Sequence, residues 1–135
     1  MKLFLLLYSI AILSENNSEW TTYYKNEQLE IQFKKADCHD NSNGIHQEKI
    51  LVKYVNKTNE QLNISFSRKA VYSNSTTNSS GNENQHQVTL QPNETKTGTC
   101  SDRDKTLAVF SKHLDIKAGE LKSIDFENIT IKTNL

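Results

Sequence analysis

The segment KKADCHDNSNGIHQEK, residues 34–49, holds the densest group of potentially reactive side chains in this sequence. Within it, Cys38 and His39 are adjacent, Asp37 and Asp40 flank them, and His46 follows. Thiolates, imidazoles and carboxylates bind metals, and a cysteine beside a histidine resembles a nucleophile with its base. The segment therefore raises three alternatives: a metal site, a catalytic site, or a turn held in place by a disulfide.

Zinc fits this segment poorly. Structural zinc takes four nitrogen or sulfur ligands, commonly supplied as spaced pairs. Neighbouring residues of a strand point to opposite faces, so Cys38 and His39 do not easily bind one ion. No second Cys/His pair occurs elsewhere, because His86 and His113 stand alone.

Calcium is the metal alternative that stays open. HDNSNG echoes part of an EF-hand loop, but His39 and Ile50 occupy the first and twelfth positions, where that motif has Asp and Glu. A calcium site of another kind would use the carboxylates on both sides of a disulfide. The candidate ligands are Asp37, Asp40, Asp102 and Asp104.

Cys38 and Cys100 are the only two cysteines, and both lie in polar, turn-rich segments, ADCHD and TGTCSD. In an exported chain, an even number of cysteines predicts a disulfide. The bond would close a loop of about 60 residues and stabilise the fold by about 4 kcal/mol. The favoured interpretation is therefore that ADCHDNSNG is a loop tethered to TGTCSDRD.

Composition argues against several other functions. Lys plus Arg and Asp plus Glu number 16 each, and only Arg68 and Arg103 are arginines, so no nucleic-acid partner is expected. The four glycines form no phosphate-binding loop and flank no nucleophilic serine. No pair of carboxylates can be assigned to general acid–base catalysis. The sequence predicts a protein that is not an enzyme and has no cofactor.

The N-terminus predicts export. Lys2 precedes an apolar run from Leu3 to Leu13, which is too short to span about 30 Å of hydrocarbon but fits the hydrophobic region of a signal peptide. We expect residues 1–14 to be a signal peptide and residues 15–135 to form a single domain. The mature chain is then expected to be secreted or periplasmic, without a transmembrane segment.

The hydrophobic pattern after the leader has a period of two, which is typical of half-buried strands. EQLEIQF, KILVKYV and QLNISF alternate in this way, and NKTNE between the last two reads as a hairpin loop. The alternation changes phase between Phe126 and Ile129, which predicts a bulge. The polar stretch Asn74–Gln85 reads as a long loop. The prediction is an all-β, two-sheet, immunoglobulin-like sandwich of about seven strands with one disulfide.

Aromatic residues near the start of the domain provide a candidate ligand face. Trp20 and Tyr24 lie on one face if residues 20–24 form a strand, with Tyr23 on the other. Exposed aromatic rings on one sheet face can stack against sugars. Carbohydrate binding is therefore an alternative function.

The order of these motifs resembles a group of small, exported, uncharacterised proteins of flavobacteria and their relatives in the Bacteroidetes. The resemblance covers Trp20, LEIQF followed by DC, ILVKYVNKTNEQLNISF, VTLQPNETKTGTC, LAVFSK and FENITI. More coarsely, the chain is similar to immunoglobulin-like sandwich modules of bacterial envelope proteins. This resemblance implies a non-catalytic module that interacts with a protein or has a structural role in the cell envelope. Carbohydrate binding and calcium binding are the alternatives.

Overall fold

The computed structural model describes residues 19–73, 75–77 and 85–133, and these residues form nine strands and no helix. The predicted all-β class is confirmed. Two of the nine strands have only three residues, too few to show a periodic pattern in the sequence. The strands are β1 (Thr21–Lys25), β2 (Leu29–Asp40), β3 (Ile45–Asn56), β4 (Leu62–Tyr72), β5 (Ser75–Thr77), β6 (Gln85–Leu90), β7 (Thr95–Thr97), β8 (Ala108–His113) and β9 (Leu121–Thr133).

The strands form two antiparallel sheets, as expected for a sandwich. In the first sheet β1 pairs with β2 and β2 with β3, while β7 and β8 pair with successive parts of β3. In the second sheet β4 is central, with β9 along one side and β6 and β5 along the other. Each sheet is thus organised around one long strand, β3 or β4.

The core lies between the two sheets and is formed by the alternating positions that the sequence indicated. On β2 and β3 the inward residues include Leu29, Ile31, Val52 and Tyr54, all fully buried. The second sheet contributes a matching set, which is Leu62, Ile64, Phe66, Val88, Leu90 and Phe126. Burial of these apolar faces against each other is the main force that holds the sheets together.

An aromatic cluster joins the sheets near β1. Phe66 and Phe126 of the second sheet stack with ring centroids 4.3 Å apart. Tyr23 and Phe33 of the first sheet stack at 4.6 Å, and both rings meet Phe126 edge-on. The Phe126 backbone N–H also donates a hydrogen bond to the Tyr23 hydroxyl at 2.9 Å. This bond and the ring contacts fix β1 against β9.

The predicted bulge in the last strand is confirmed. The register between β4 and β9 shifts between Glu127 and Thr130, and Asn128 adopts a positive φ of 57°. Asparagine tolerates this left-handed conformation better than most residues. The extra residue explains the change of phase between Phe126 and Ile129.

One end of the sandwich is closed by a polar network around Asn56. This side chain is 2% exposed, and its Nδ2 donates to the carbonyls of Glu60 and Gln91 at 2.8 and 2.9 Å. Its Oδ1 accepts from the backbone N–H and the hydroxyl of Thr58. The predicted hairpin NKTNE is therefore tied to the β6–β7 turn. We call this the Asn56 end.

Two predicted features fall largely outside the described residues. The signal peptide expected at residues 1–14 lies wholly outside them. The expected loop Asn74–Gln85 lies outside them except for β5 and the first residue of β6.

Candidate functional site

The segment ADCHD is a continuation of strand β2, which corrects its prediction as a loop. β2 pairs with β3 without interruption up to Asp40 and Ile45, so only residues 41–44 form a turn. Asp40 stabilises this turn, because its carboxylate accepts hydrogen bonds from Ser42 Oγ and Asn43 Nδ2. These bonds lower the pKa of Asp40. Gly44 completes the turn with a φ of +65°, where a side chain is disfavoured.

The predicted disulfide is confirmed. Cys38 and Cys100 are bonded, with their Cα atoms 5.5 Å apart. Cys38 is 7% exposed, and the nearby Lys49 Nζ donates a hydrogen bond to the Cys100 carbonyl at 3.1 Å. Because both thiols are in the bond, neither is available as a nucleophile or a metal ligand. The bond attaches the segment after β7 to the outer part of the β2–β3 hairpin.

Gly98 brings that segment close to β3. Its N–H donates to the Val52 carbonyl at 2.8 Å, while the Val52 N–H donates to the Leu107 carbonyl at 2.9 Å. A Cβ atom at position 98 would lie 2.0 Å from the Leu107 oxygen, so only glycine fits. Residues 99–106 therefore form a loop whose two ends are fixed to β3 by the hydrogen bonds of Gly98 and Leu107.

A cleft of about 560 Å³ lies over the disulfide. Its walls are the end of β2, the β2–β3 turn, the start of β3 and residues 100–103. Asp40 and Asp102 contribute negative charge to the cleft, and Lys49 and Arg103 contribute positive charge. The side chain of Ile45, 43% exposed, forms an apolar part of the wall.

The four aspartates predicted to bind calcium do not converge. Asp102 Oδ2 accepts from the N–H and hydroxyl of Thr99, and Asp104 Oδ1 accepts from the N–H and hydroxyl of Thr106. Asp40 holds its own turn, and Asp37 lies exposed on β2. Across the described ranges, no three or more His, Cys, Asp or Glu side chains are grouped so that they could hold a metal ion. The carboxylates of Asp40, Asp102 and Asp104 stabilise turns instead.

Asp104 shows how these turn contacts affect ionisation. Partial burial alone raises the pKa of its carboxyl group, but the two hydrogen bonds from Thr106 favour the charged form. The net result is a pKa below the usual value. The carboxylate thus stays ionised and keeps residues 104–106 in their turn.

Two histidines meet at the end of the β2–β3 hairpin. His39 and His46 are direct cross-strand partners, and their Nδ1 atoms are 2.9 Å apart. The ring centroids are 5.1 Å apart. Both residues stand out in the sequence, but their pairing is not evident from it. A four-residue turn at residues 41–44 implies this pairing, so the turn signal DNSNG could have revealed it.

The aromatic face predicted from Trp20 and Tyr24 is not formed. β1 contains a bulge at Tyr23, which changes the alternation on which that prediction depended. Tyr24 packs against the core opposite Ile31. Trp20 lies before the strand, with Lys53 Nζ 4.4 Å and Lys34 Nζ 5.6 Å from its ring centroid. The two rings therefore lie in different environments and do not form one ligand-binding face.

The exposed large hydrophobic side chains of the described residues follow either the β2–β3 turn or the end of β8. They are Ile45, Leu114 and Ile116, which are 43%, 38% and 60% exposed. The Leu114 N–H donates to the His46 carbonyl at 3.0 Å, so Leu114 lies beside the start of β3. A second cleft of about 550 Å³ is lined by residues 112–118 and 120. We call Ile45, Leu114 and Ile116 the apolar end.

Sequence reasoning missed the apolar end. Ile45 directly follows the glycine of a turn, and Leu114 and Ile116 belong to a short polar segment after β8. Isolated apolar residues in such segments carry no periodic signal. Their proximity depends on β8 pairing with β3, which is a long-range contact.

Comparisons with known protein families, with curated proteins and with solved structures returned no match. The resemblance to small exported proteins of flavobacteria and to immunoglobulin-like modules therefore stays a prediction. In the part of the chain that the structure describes, no helix is long and apolar enough to cross a membrane.

Proposed function

We propose that this chain is an exported, non-catalytic module of the cell envelope that binds a protein partner through its apolar end. The observation that carries this proposal is the exposure of Ile45 after the β2–β3 turn and of Leu114 and Ile116 after β8, two segments joined by the Leu114 N–H bond to the His46 carbonyl. Exposed apolar side chains on adjoining segments can together form a protein interaction site. The opposite, Asn56 end is closed by its own hydrogen bonds.

The charged groups around this end suit a protein surface. The neighbouring cleft carries Asp40 and Asp102 together with Lys49 and Arg103, so a partner with both signs of charge can be oriented there. An apolar centre with a polar rim is the usual anatomy of an interface. The disulfide and the Gly98 contact keep the surrounding segments in place, which reduces the ordering cost of binding.

Two features support the proposed location. A disulfide between strand β2 and the segment after β7 persists in oxidising compartments such as the periplasm or the extracellular space. The expected signal peptide at residues 1–14 and the resemblance to envelope modules agree with that location. The partner should therefore be sought with the chain in its secreted or periplasmic form.

Site-specific photo-crosslinking in the cells that make the protein tests this function. A photoreactive benzoylphenylalanine is placed in turn at positions 45 and 116, and in matched controls at the exposed positions 57 and 59 of the Asn56 end. We expect one discrete protein adduct from positions 45 and 116 and none from the controls. The adduct should disappear when a second variant, Leu114→Lys, is combined with the crosslinker at position 45.

Two results would contradict the proposal. One is an absence of adducts at positions 45 and 116 in chains that are exported and oxidised. The other is an identical adduct pattern from both ends, which would indicate nonspecific collisions. Intact mass before and after reduction identifies chains that carry the disulfide, so that misfolded material is not scored.

A further inference from the structure

The His39–His46 pair is held by two long strands rather than by flexible loops. β2 and β3 pair along all 12 residues of each strand. Only one residue pair, Asp40 and Ile45, lies between the two histidines and the turn. His39 is exposed and His46 is half-buried, so solvent reaches the pair. The two imidazoles thus share a defined, open position on the surface.

The distance between the Nδ1 atoms matches that of two ligands on one metal ion. Imidazole nitrogen binds metals at about 2.0–2.1 Å. Two nitrogen ligands that subtend a right angle at the metal are about 2.9 Å from each other, whereas two nitrogen ligands of a tetrahedral site are about 3.3 Å from each other. The observed separation is 2.9 Å. Because this separation is also the length of a hydrogen bond, it shows that both nitrogens can reach one metal ion, and it is compatible with neighbouring corners of a square-planar or tetragonal site, the geometry of Cu(II) and Ni(II).

The proton between the two rings does not prevent metal binding. In the hydrogen bond, one ring donates from Nδ1–H and the other accepts at Nδ1. The donor ring can move its proton to Nε2 by changing tautomer, which frees both Nδ1 lone pairs. This change moves one proton within the donor ring and leaves the charge of both rings as it was.

The neighbouring groups leave the other coordination positions to water. The Asp40 carboxylate is bonded to Ser42 and Asn43, and Glu48 Oε1 accepts a hydrogen bond from Ser111. Within the described residues no third His, Cys, Asp or Glu joins the pair in a metal-holding group. The site is therefore bidentate.

We propose that His39 and His46 form a surface site for Cu(II), with two Nδ1 ligands and water at the remaining positions. Cu(II) is chosen because it has the highest affinity among the divalent first-row metals and favours the right-angle geometry. This site is independent of the proposed protein-binding function, although it lies next to Leu114.

The test uses the full exported chain, oxidised and without a polyhistidine tag, titrated with Cu(II). Affinity is measured by calorimetry in a weakly competing buffer, and the ligands are identified by electron paramagnetic resonance. The variants are His39→Asn, His46→Asn and the double variant. The matched control is His113→Asn, which removes a histidine from the end of β8. Thermal unfolding confirms that each variant folds.

We expect one Cu(II) ion per chain, with nitrogen hyperfine structure from two imidazoles. Either single variant should bind at least about tenfold more weakly, and the His113→Asn control should bind like the parent. Zn(II) should bind more weakly than Cu(II), in keeping with the general order of affinities of the divalent first-row metals. Equal Cu(II) affinity in the folded double variant would overturn the proposal. So would a spectrum with one imidazole nitrogen, or an equal loss of affinity in the control.

Discussion

Gly98 is required because of the space around it, and its removal should be costly. A methyl group at this position would overlap the Leu107 carbonyl, which itself accepts the Val52 N–H. Backbone atoms cannot move aside as a flexible side chain can. We expect Gly98→Ala to lower the free energy of unfolding by about 3 kcal/mol. Urea denaturation of the oxidised protein measures this change.

Gly44 provides the matched comparison, because its environment is open. Nothing lies within 4 Å of a Cβ at this position, so only its φ of +65° disfavours a side chain. Gly44→Ala should cost about 1–2 kcal/mol, the usual penalty for the left-handed conformation. Gly44→Asn should cost less, since asparagine tolerates that region. If Gly98→Ala costs no more than Gly44→Ala, the close approach at residue 98 is not a constraint on the fold.

The disulfide links the β2–β3 hairpin to the segment between β7 and β8, and it should contribute strongly to stability. The bonded cysteines are 62 positions apart, which in the chain-entropy model corresponds to about 4 kcal/mol. We expect the double variant Cys38→Ser/Cys100→Ser to lose roughly that amount of unfolding free energy. Denaturant titrations of parent and variant, each with and without reductant, measure it.

Reduction provides the internal control for this prediction. Reductant should lower the stability of the parent to that of the double variant, and it should leave the variant unchanged. A parent that keeps its stability after both thiols are shown to be free would mean that the hairpin and the segment are held by other contacts, such as those of Gly98 and Lys49.

The strands that could be predicted from sequence are those with one buried face. Leu29, Ile31 and Phe33 alternate with polar residues, and the same holds for Leu62, Ile64 and Phe66, so period two was sufficient. The bulge at Asn128 was visible as a change of phase. Alternation reveals which face a residue takes. It does not reveal which strand lies beside it.

The parts that could not be predicted depend on long-range pairing or on local irregularity. The bulge at Tyr23 leaves no clear phase signal in a strand of five residues, so Trp20 and Tyr24 were placed on one face incorrectly. ADCHD was predicted as a loop because its residues are polar, although its backbone pairs with β3. The disulfide was predicted correctly from composition. Of the four aspartates, however, Asp40, Asp102 and Asp104 are used by turns whose hydrogen bonds the sequence does not display.

The response of the whole molecule to mild acid should depend on His86. This residue lies on β6 opposite Phe66, and its Nε2 is buried without a hydrogen-bond partner among the described residues. Burial lowers the pKa of His86, and the charge of Arg68 lowers it further. Lys105 acts in the same direction, while Asp104 opposes it. The folded protein therefore holds His86 neutral at a pH where the unfolded chain binds a proton.

The sign of the pH effect follows from this difference. Well above pH 6.5, the ordinary pKa of histidine, His86 is neutral in both states and contributes no pH dependence. As the pH falls below that value, the unfolded chain takes up a proton first, so stability is lost until the folded pKa is reached. Carboxylates with lowered pKa values, such as Glu30 and Asp104, add their own loss only nearer pH 4.

We therefore expect His86→Gln to flatten the fall in unfolding free energy between about pH 7 and pH 5. Urea denaturation at several pH values in this range measures the slope, and His113→Gln provides the control for removing a histidine away from Arg68. A change of slope that is seen in His86→Gln and not in the control assigns the pH dependence to His86. If His86→Gln keeps the parent's slope, protonation of His86 is accommodated in the folded state, and the acid response must arise elsewhere. If the slope falls, the space beside Arg68 excludes a second positive charge, and the packing of β6 on β4 limits stability in acid.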